Sequence, residues 1–287
     1  MNTFKMHLEV EKRNGVNNKM TEFKIALNNI LEINKQLQIT IEEHDGKKSI
    51  VRKCEQISYK LLKSIALESR LPFISRCDQV DFEERKKWNS FWVLSPIIGK
   101  KELREEKSDF LIGITKIEKQ RPTFSLLLVP QKRELFIGIN NKAYRIETIE
   151  ASLNLGIDEL LTEKNRINTP IAGFFYTIMK NKNRMNEKTE KFLDDFKLYK
   201  SGAIQEKIDE SPMNLIGIAK GTYDFFPHFK SIYEWEIAPF DALITASGNR
   251  LTQKDGILPL TYNSKTLKFS AFIAKSNSDI DSIDLNK

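Results

Sequence analysis

The sequence predicts an α/β protein with two unlike halves, an α+β half built on an antiparallel sheet and then an α/β half. Three observations predict it. Two amphipathic segments stand near the N-terminus, five short apolar runs separated by turns follow, and beyond about residue 165 strand-like and helix-like runs alternate.

Residues 1–20 are polar and rich in Asn and Lys, and read as a flexible extension. From Thr21 to about Gln36, the residues Phe23, Ala26, Leu27, Ile30 and Leu31 recur on one helical face. His44-Asp45-Gly46 reads as a turn. A second helix is expected from about Ile50 to Leu67, with Ile50, Cys54, Ile57, Leu61, Leu62 and Ile65 on one side. Leu71–Ser75 is a short strand candidate. Phe91–Leu94, Phe110–Ile117, Phe124–Val129, Glu134–Ile139 and Ala143–Ile146 then read as an antiparallel sheet. The loop Ile139-Asn140-Asn141-Lys142 carries asparagines able to take positive φ.

A polar linker around Asn165–Thr169 opens the second half. Ala172–Met179 is expected as a strand, Glu187 to Lys197 as a helix, and Leu215–Ala219 as another strand. A helix is expected after Trp235, with Pro239 in its first turn and Gly248 beyond its end. Lys254-Asp255-Gly256 reads as a hairpin turn and Phe269–Ala274 as a closing strand. The expected organisation is 1–20 extension, 21–165 α+β subdomain, 166–276 α/β subdomain and 277–287 tail.

Apolar content of 40% and charged content of 30% are ordinary for a globular protein. No apolar run approaches the roughly 20 residues that span a bilayer, so no membrane is expected. The N-terminus lacks a secretory apolar core. Two cysteines, Cys54 and Cys77, define no disulfide framework, and the expected location is a reducing cytoplasm. The net charge of +7 and pI near 9.1 admit an anionic partner. The lysines are scattered among glutamates, so nucleic acid is not expected.

The segment Phe91–Leu103, FWVLSPIIGKKEL, resembles W-x-V-D-P-L-D-G-T-K-E, a strand that ends in a metal-binding turn. Leu71–Asp78 resembles V-P-V-L-S-E-E-D. Ala219–Phe229 resembles A-x-G-x-A-D-x-Y-P-R-F, and Glu236 stands at the aspartate of x-W-D-x-A. With Gly248–Leu251 and Asp255-Gly256, these pieces run in order over residues 22–275. On them the chain resembles the inositol-monophosphatase superfamily, and within it the CysQ-type 3′(2′),5′-bisphosphate nucleotidases. The resemblance implies a layered α-β-α-β-α sandwich and phosphate-ester hydrolysis with two or three Mg²⁺ ions.

The same alignment shows departures at the positions of the metal ligands. Arg76 and Cys77 stand at the two glutamates, Ser95 and Ile98 at the two aspartates, and Lys100 at the threonine. Asp45 opens the N-terminal segment, which ends at Lys53, and Glu236 replaces an aspartate. Isoleucine offers Mg²⁺ no ligand atom and serine only a neutral one. A cation about 4 Å from a metal costs roughly 4 kcal/mol at an effective dielectric near 20. The expectation is therefore a catalytically degenerate member, a pseudophosphatase without a metal cofactor. It would bind a phosphorylated small molecule or a protein partner. Arg76, Lys100, Lys182 and Arg184 are the candidate phosphate-binding residues. The alternative is an active Mg²⁺-dependent nucleotidase or related phosphatase with altered ligands. Cys77 reads as a small buried hydrophobe, and His228, at a family arginine, as a partly exposed polar residue.

Overall fold

Two long helices come first. In the computed structural model, which describes residues 2–43, 46–147, 149, 157–168, 175–199 and 203–277, they are α1 (Asn2–Glu42) and α2 (Lys47–Glu68). Helix α1 covers the segment expected as a flexible extension. Residues 2–20 hold one glycine, Gly15, and no proline, so nothing there stops a helix. The expected tail, from residue 278 on, lies outside the described residues.

A six-stranded sheet follows, in the order β1 (Phe73–Ser75), β2 (Ser90–Ile98), β3 (Leu111–Glu118), β4 (Arg121–Val129), β5 (Glu134–Ile139) and β6 (Lys142–Ile146). Strand β1 pairs parallel to β2, and the other pairs are antiparallel. The β5–β6 hairpin turns at Asn140 and Asn141, with φ of 50° and 57°, as the asparagines predict. Two short helices interrupt the sheet, α3 (Phe82–Arg85) and α4 (Lys100–Arg104).

Strand alternation divides the apolar residues between two cores. Trp92 and Leu94 of β2 face α1 and α2, beside Phe23, Ile30, Cys54 and Ile65. Phe91 and Val93 face the opposite way, toward a third long apolar segment.

That segment belongs to the second half. After α5 (Ile157–Leu160) come β7 (Tyr176–Asn181), α6 (Glu187–Tyr199), β8 (Ile204–Asp209), α7 (Asn214–Ala219), β9 (Phe225–His228) and β10 (Ile232–Tyr233). Then follow α8 (Glu234–Ala246), β11 (Arg250–Thr252), β12 (Lys268–Phe269) and β13 (Phe272–Lys275). The second sheet has the order β11-β13-β9-β7-β8, with β7 parallel to both of its neighbours. Helix α8 packs on β2–β6, and its Phe240 and Leu243 share a core with Phe226 and Phe272 of the second sheet. Helix α6 covers the other face of that sheet through Leu193 and Phe196. The layers are helix pair, sheet, helix, sheet, helix, as the family resemblance implies. No helix among the described residues is long and apolar enough to cross a membrane.

Three local expectations are corrected. Leu215–Ala219 lies in helix α7, because a five-residue apolar run buried on all sides carries no periodicity to separate strand from helix. The closing strand is split into β12, which pairs with β10, and β13, which pairs with β9 and β11. Pro239 is the sixth residue of α8, not a first-turn residue.

Candidate functional site

Pro239 explains what Ser95 does. A proline inside a helix has no N–H for the carbonyl four residues back, here that of Trp235. Ser95 Oγ donates to that carbonyl oxygen at 2.5 Å, so the serine satisfies the acceptor the proline orphans. The two approach closely because Ser95 pairs across the sheet with Gly113, where a Cβ would stand 2.7 Å from the Pro239 ring. Ser95 is 1% exposed and its hydroxyl is committed to α8. We expect Ser95→Ala to cost about 1–3 kcal/mol by leaving a buried carbonyl unpaired. In a Pro239→Ala background the restored N–H takes over, and the same change costs less than about 1 kcal/mol. Urea unfolding of the four proteins measures that coupling, and additive costs would refute it.

The pairing of β2 with β3 shifts register between Ser95 and Ile98, and the chain then turns at Gly99. Gly99 has φ 88°, and a Cβ there would meet Pro212 at 2.9 Å, so the turn requires glycine. Ile98 is buried at 4% exposure in the core against α8.

Beyond the turn opens a cavity of about 410 Å³. Lys100, Lys101, Arg184 and Lys230 contribute cations to its lining, and Glu102, Glu210 and Glu236 carboxylates. Arg184 Nη2 lies 3.8 Å from Glu236 Oε1, while Glu236 Oε2 accepts from the Tyr233 N–H at 3.3 Å. The helix-start carboxylate is thus held by a guanidinium and by its own capping position.

Three of the predicted residues, Lys100, Arg184 and Glu236, line this cavity, and Ile98 lies at its inner end, in a small pocket shared with Arg184 and Glu236. Lys182 points out from the turn between the lining residues Asn181 and Asn183, 3.7 Å from Glu210. Arg76 and Cys77 are exposed just beyond β1 and do not line the cavity. Cys77 is therefore not the buried hydrophobe expected. Its Sγ lies 3.9 Å from Glu55, and desolvation, followed by that carboxylate, raises its thiol pKa, which is unlike an activated nucleophile. Asp45 lies outside the described residues.

Sequence reasoning missed Glu55. It stands on α2 beside the apolar stripe at Cys54, and it holds Lys100 Nζ at 2.5 Å. An acid directly beside the apolar stripe of α2 was the available signal.

His228 is also corrected. It is 1% exposed, stacks on Phe272 with ring centroids 4.7 Å apart, and lines the cavity. Neither ring nitrogen has a well-formed hydrogen bond. Burial, then the charges of Arg184 and Lys230, hold its pKa at about 3, although the backbone of Lys230 lies near enough to favour the charged ring slightly. A lone polar residue in the apolar strand Phe225–His228 was the signal for it.

No family model matches the chain. Solved structures do match. CysQ from Bacteroides thetaiotaomicron, a bacterial member of the inositol monophosphatase family, superposes with a TM-score of 0.79 over 88% of this chain and 96% of its own, at 21% identity. This chain has the inositol-monophosphatase fold. Inositol monophosphatase II from Staphylococcus aureus shares that fold, with a TM-score of 0.71 over 93% and 96% of the two chains at 13% identity. In sequence, the chain is similar to the 3′(2′),5′-bisphosphate nucleotidase CysQ of Buchnera aphidicola subsp. Acyrthosiphon pisum. Identity is 25% over 190 residues, 66% of this chain and 65% of that protein, slightly under two thirds of its length. The CysQ of Escherichia coli (strain K12) is 19% identical over 192 residues.

These relatives overturn the expectation that no cofactor is involved. The proteins that share the inositol-monophosphatase fold with this chain are CysQ and inositol monophosphatase phosphatases, which use Mg²⁺. The residues at the family's ligand positions are a separate matter. Ser95 is bonded to α8, Ile98 has no donor atom, and Arg76 is a cation. Among the described residues no three His, Cys, Asp or Glu side chains cluster as a ligand set. The described residues therefore do not fit a two-metal site.

Proposed function

We propose that this chain binds a phosphate ester of the nucleoside bisphosphate class in the cavity beyond Gly99 and acts on it as a phosphatase of the CysQ type. The observation that carries this reading is the cavity itself. It opens at the strand-ending turn that resembles the family motif, and Lys100, Arg184 and Glu236 line it. Its volume of about 410 Å³ suits a nucleotide-sized ligand. Cations on its wall offer charge-assisted hydrogen bonds to phosphoryl oxygens.

A second reading, a pseudophosphatase that binds the same ester without turnover, is favoured by Ser95 and Ile98. Both are absorbed into packing against α8. One experiment separates the two. Binding of adenosine 3′,5′-bisphosphate and phosphate release are measured with and without Mg²⁺, in wild type and Glu236→Ala. Mg²⁺-dependent release that Glu236→Ala abolishes assigns a nucleotidase. Binding without release assigns the pseudophosphatase, and no binding rejects both.

A further inference from the structure

We propose that the chain carries a second anion site, separate from the cavity beyond Gly99, which takes a small molecule bearing two or more phosphate charges. It is a concavity of about 570 Å³ lined by Arg145, Glu147, Lys164, Arg166 and Lys220, with asparagine amides between them. The two cavities share no lining residue, so the proposal does not rest on the phosphatase reading. Helix α7 links them. Its first residue, Asn214, lines the inner end of the first cavity beside Arg184 and Glu236, and Lys220, which caps its last turn, lines the second. A six-residue helix sets those ends about 9 Å apart.

The fold brings the cations together from three places. Arg145 stands on β6, Lys164 and Arg166 on the helical turn Glu163–Asn165 and its cap, and Lys220 at the end of α7. The turn is fixed in place. Arg166 bridges to Tyr144 of β6, the Ile167 N–H donates to the Ala143 carbonyl at 2.8 Å, and Asn165 Nδ2 donates to the Leu160 carbonyl at 2.9 Å. A site held this way loses little freedom when a ligand enters.

The charges do not cancel. Arg145 contacts Glu134 and Glu147, while Arg166 and Lys142 share Glu163. Lys164 and Lys220 are exposed and make no ion pair among the described residues. Arg166 meets Glu163 through Nη1 alone, which leaves Nη2 to a ligand. Two free ammonium groups and a guanidinium N–H are therefore open to solvent in one concavity. A cleft lined by one sign of charge concentrates the field there, and phosphoryl oxygens take both point charges and charge-assisted hydrogen bonds.

The test titrates inorganic pyrophosphate into the full-length chain, with a chelator present so that no metal carries the anion. The salt is about 0.15 M, where charges more than about 8 Å apart are screened and scattered surface lysines hold the probe weakly. Calorimetry compares wild type, Lys164→Gln with Lys220→Gln, Lys164→Arg with Lys220→Arg, and Arg184→Gln of the first cavity. The glutamine pair should weaken one binding event at least about tenfold, and the arginine pair should keep it within about threefold. Arg184→Gln should leave that event unchanged. Both lysines are exposed, so the unliganded melting temperature of the glutamine pair should match wild type. No binding by wild type, or unchanged affinity in the glutamine pair, overturns the site. Binding lost in Arg184→Gln alone belongs to the first cavity, which overturns the site and leaves the phosphate-ester reading standing. A single-stranded oligonucleotide that the glutamine pair weakens and pyrophosphate does not displace gives the face to nucleic acid and overturns the small-molecule assignment.

Discussion

Replacing Arg85 with alanine is expected to destabilise the protein by about 3–5 kcal/mol, one of the two largest single effects we anticipate. Arg85 is 2% exposed, and its guanidinium ties residues far apart in the chain. It donates to Asn263 Oδ1 at 2.7 Å, to the Ser264 carbonyl at 2.8 Å and to the Lys265 carbonyl at 2.8 Å. Asn263 answers by donating to the Arg85 carbonyl at 2.6 Å. Asn263 itself has φ 70°, a conformation asparagine tolerates better than most residues. Below it the fully buried Glu234 accepts from the Asn263 and Ser264 N–H groups. Removing Arg85 strands four acceptors, these three and the Val80 carbonyl that accepts from its Nε at 3.3 Å, and takes away a cation that acts on that carboxylate. Arg85→Lys should recover little, since one ammonium cannot replace a planar fork. Guanidinium unfolding reads the loss, and a cost below about 1 kcal/mol for Arg85→Ala would refute the account. Because Glu234 is the first residue of α8, Glu236 should lose its position along with the knot.

Lys116→Met should cost a similar amount, about 3–5 kcal/mol, for a different reason. Lys116 stands on β3 at 8% exposure, in contact with Glu22 of α1, itself 9% exposed, and 3.3 Å from Glu118. Removing the cation leaves Glu22 buried and unpaired. The paired replacement Glu22→Leu with Lys116→Met leaves no orphan charge and should return to within about 1.5 kcal/mol of wild type. Thermal and urea melts of the single and double variants measure the difference, and a double variant as unstable as the single one would refute it.

The first sheet was legible because its strands are short apolar runs separated by turn residues such as Asn140 and Asn141. The layer order was legible only through the family resemblance that the motif fragments carry. What stayed hidden depended on contacts between distant segments. Arg85 reads as one of many surface basic residues until Asn263–Lys265 fold over it. Glu55 reads as the polar flank of α2 until Lys100 arrives. Ser95 looks like a lost ligand in a one-dimensional reading, and only the fold shows the Trp235 carbonyl that Pro239 leaves open. His228 looks like an ordinary polar residue until both neighbouring aromatic rings and the cavity wall are placed. Helix α7 was mistaken because burial on every side erases the pattern on which a sequence reading depends.

Helix α8 carries one further consequence, for how the chain is made. It is the middle layer, yet it ends at Ala246, roughly one hundred residues after the sheet it covers finishes at Ile146. Ribosomes add about 5–20 residues each second. The face formed by Phe91, Val93, Leu127, Val129 and Phe136 therefore has no helix to cover it for roughly 5–20 s of synthesis. Nascent chains of this protein carry an open apolar sheet during that interval, which makes them natural clients for chaperones that hold such surfaces until the covering segment emerges.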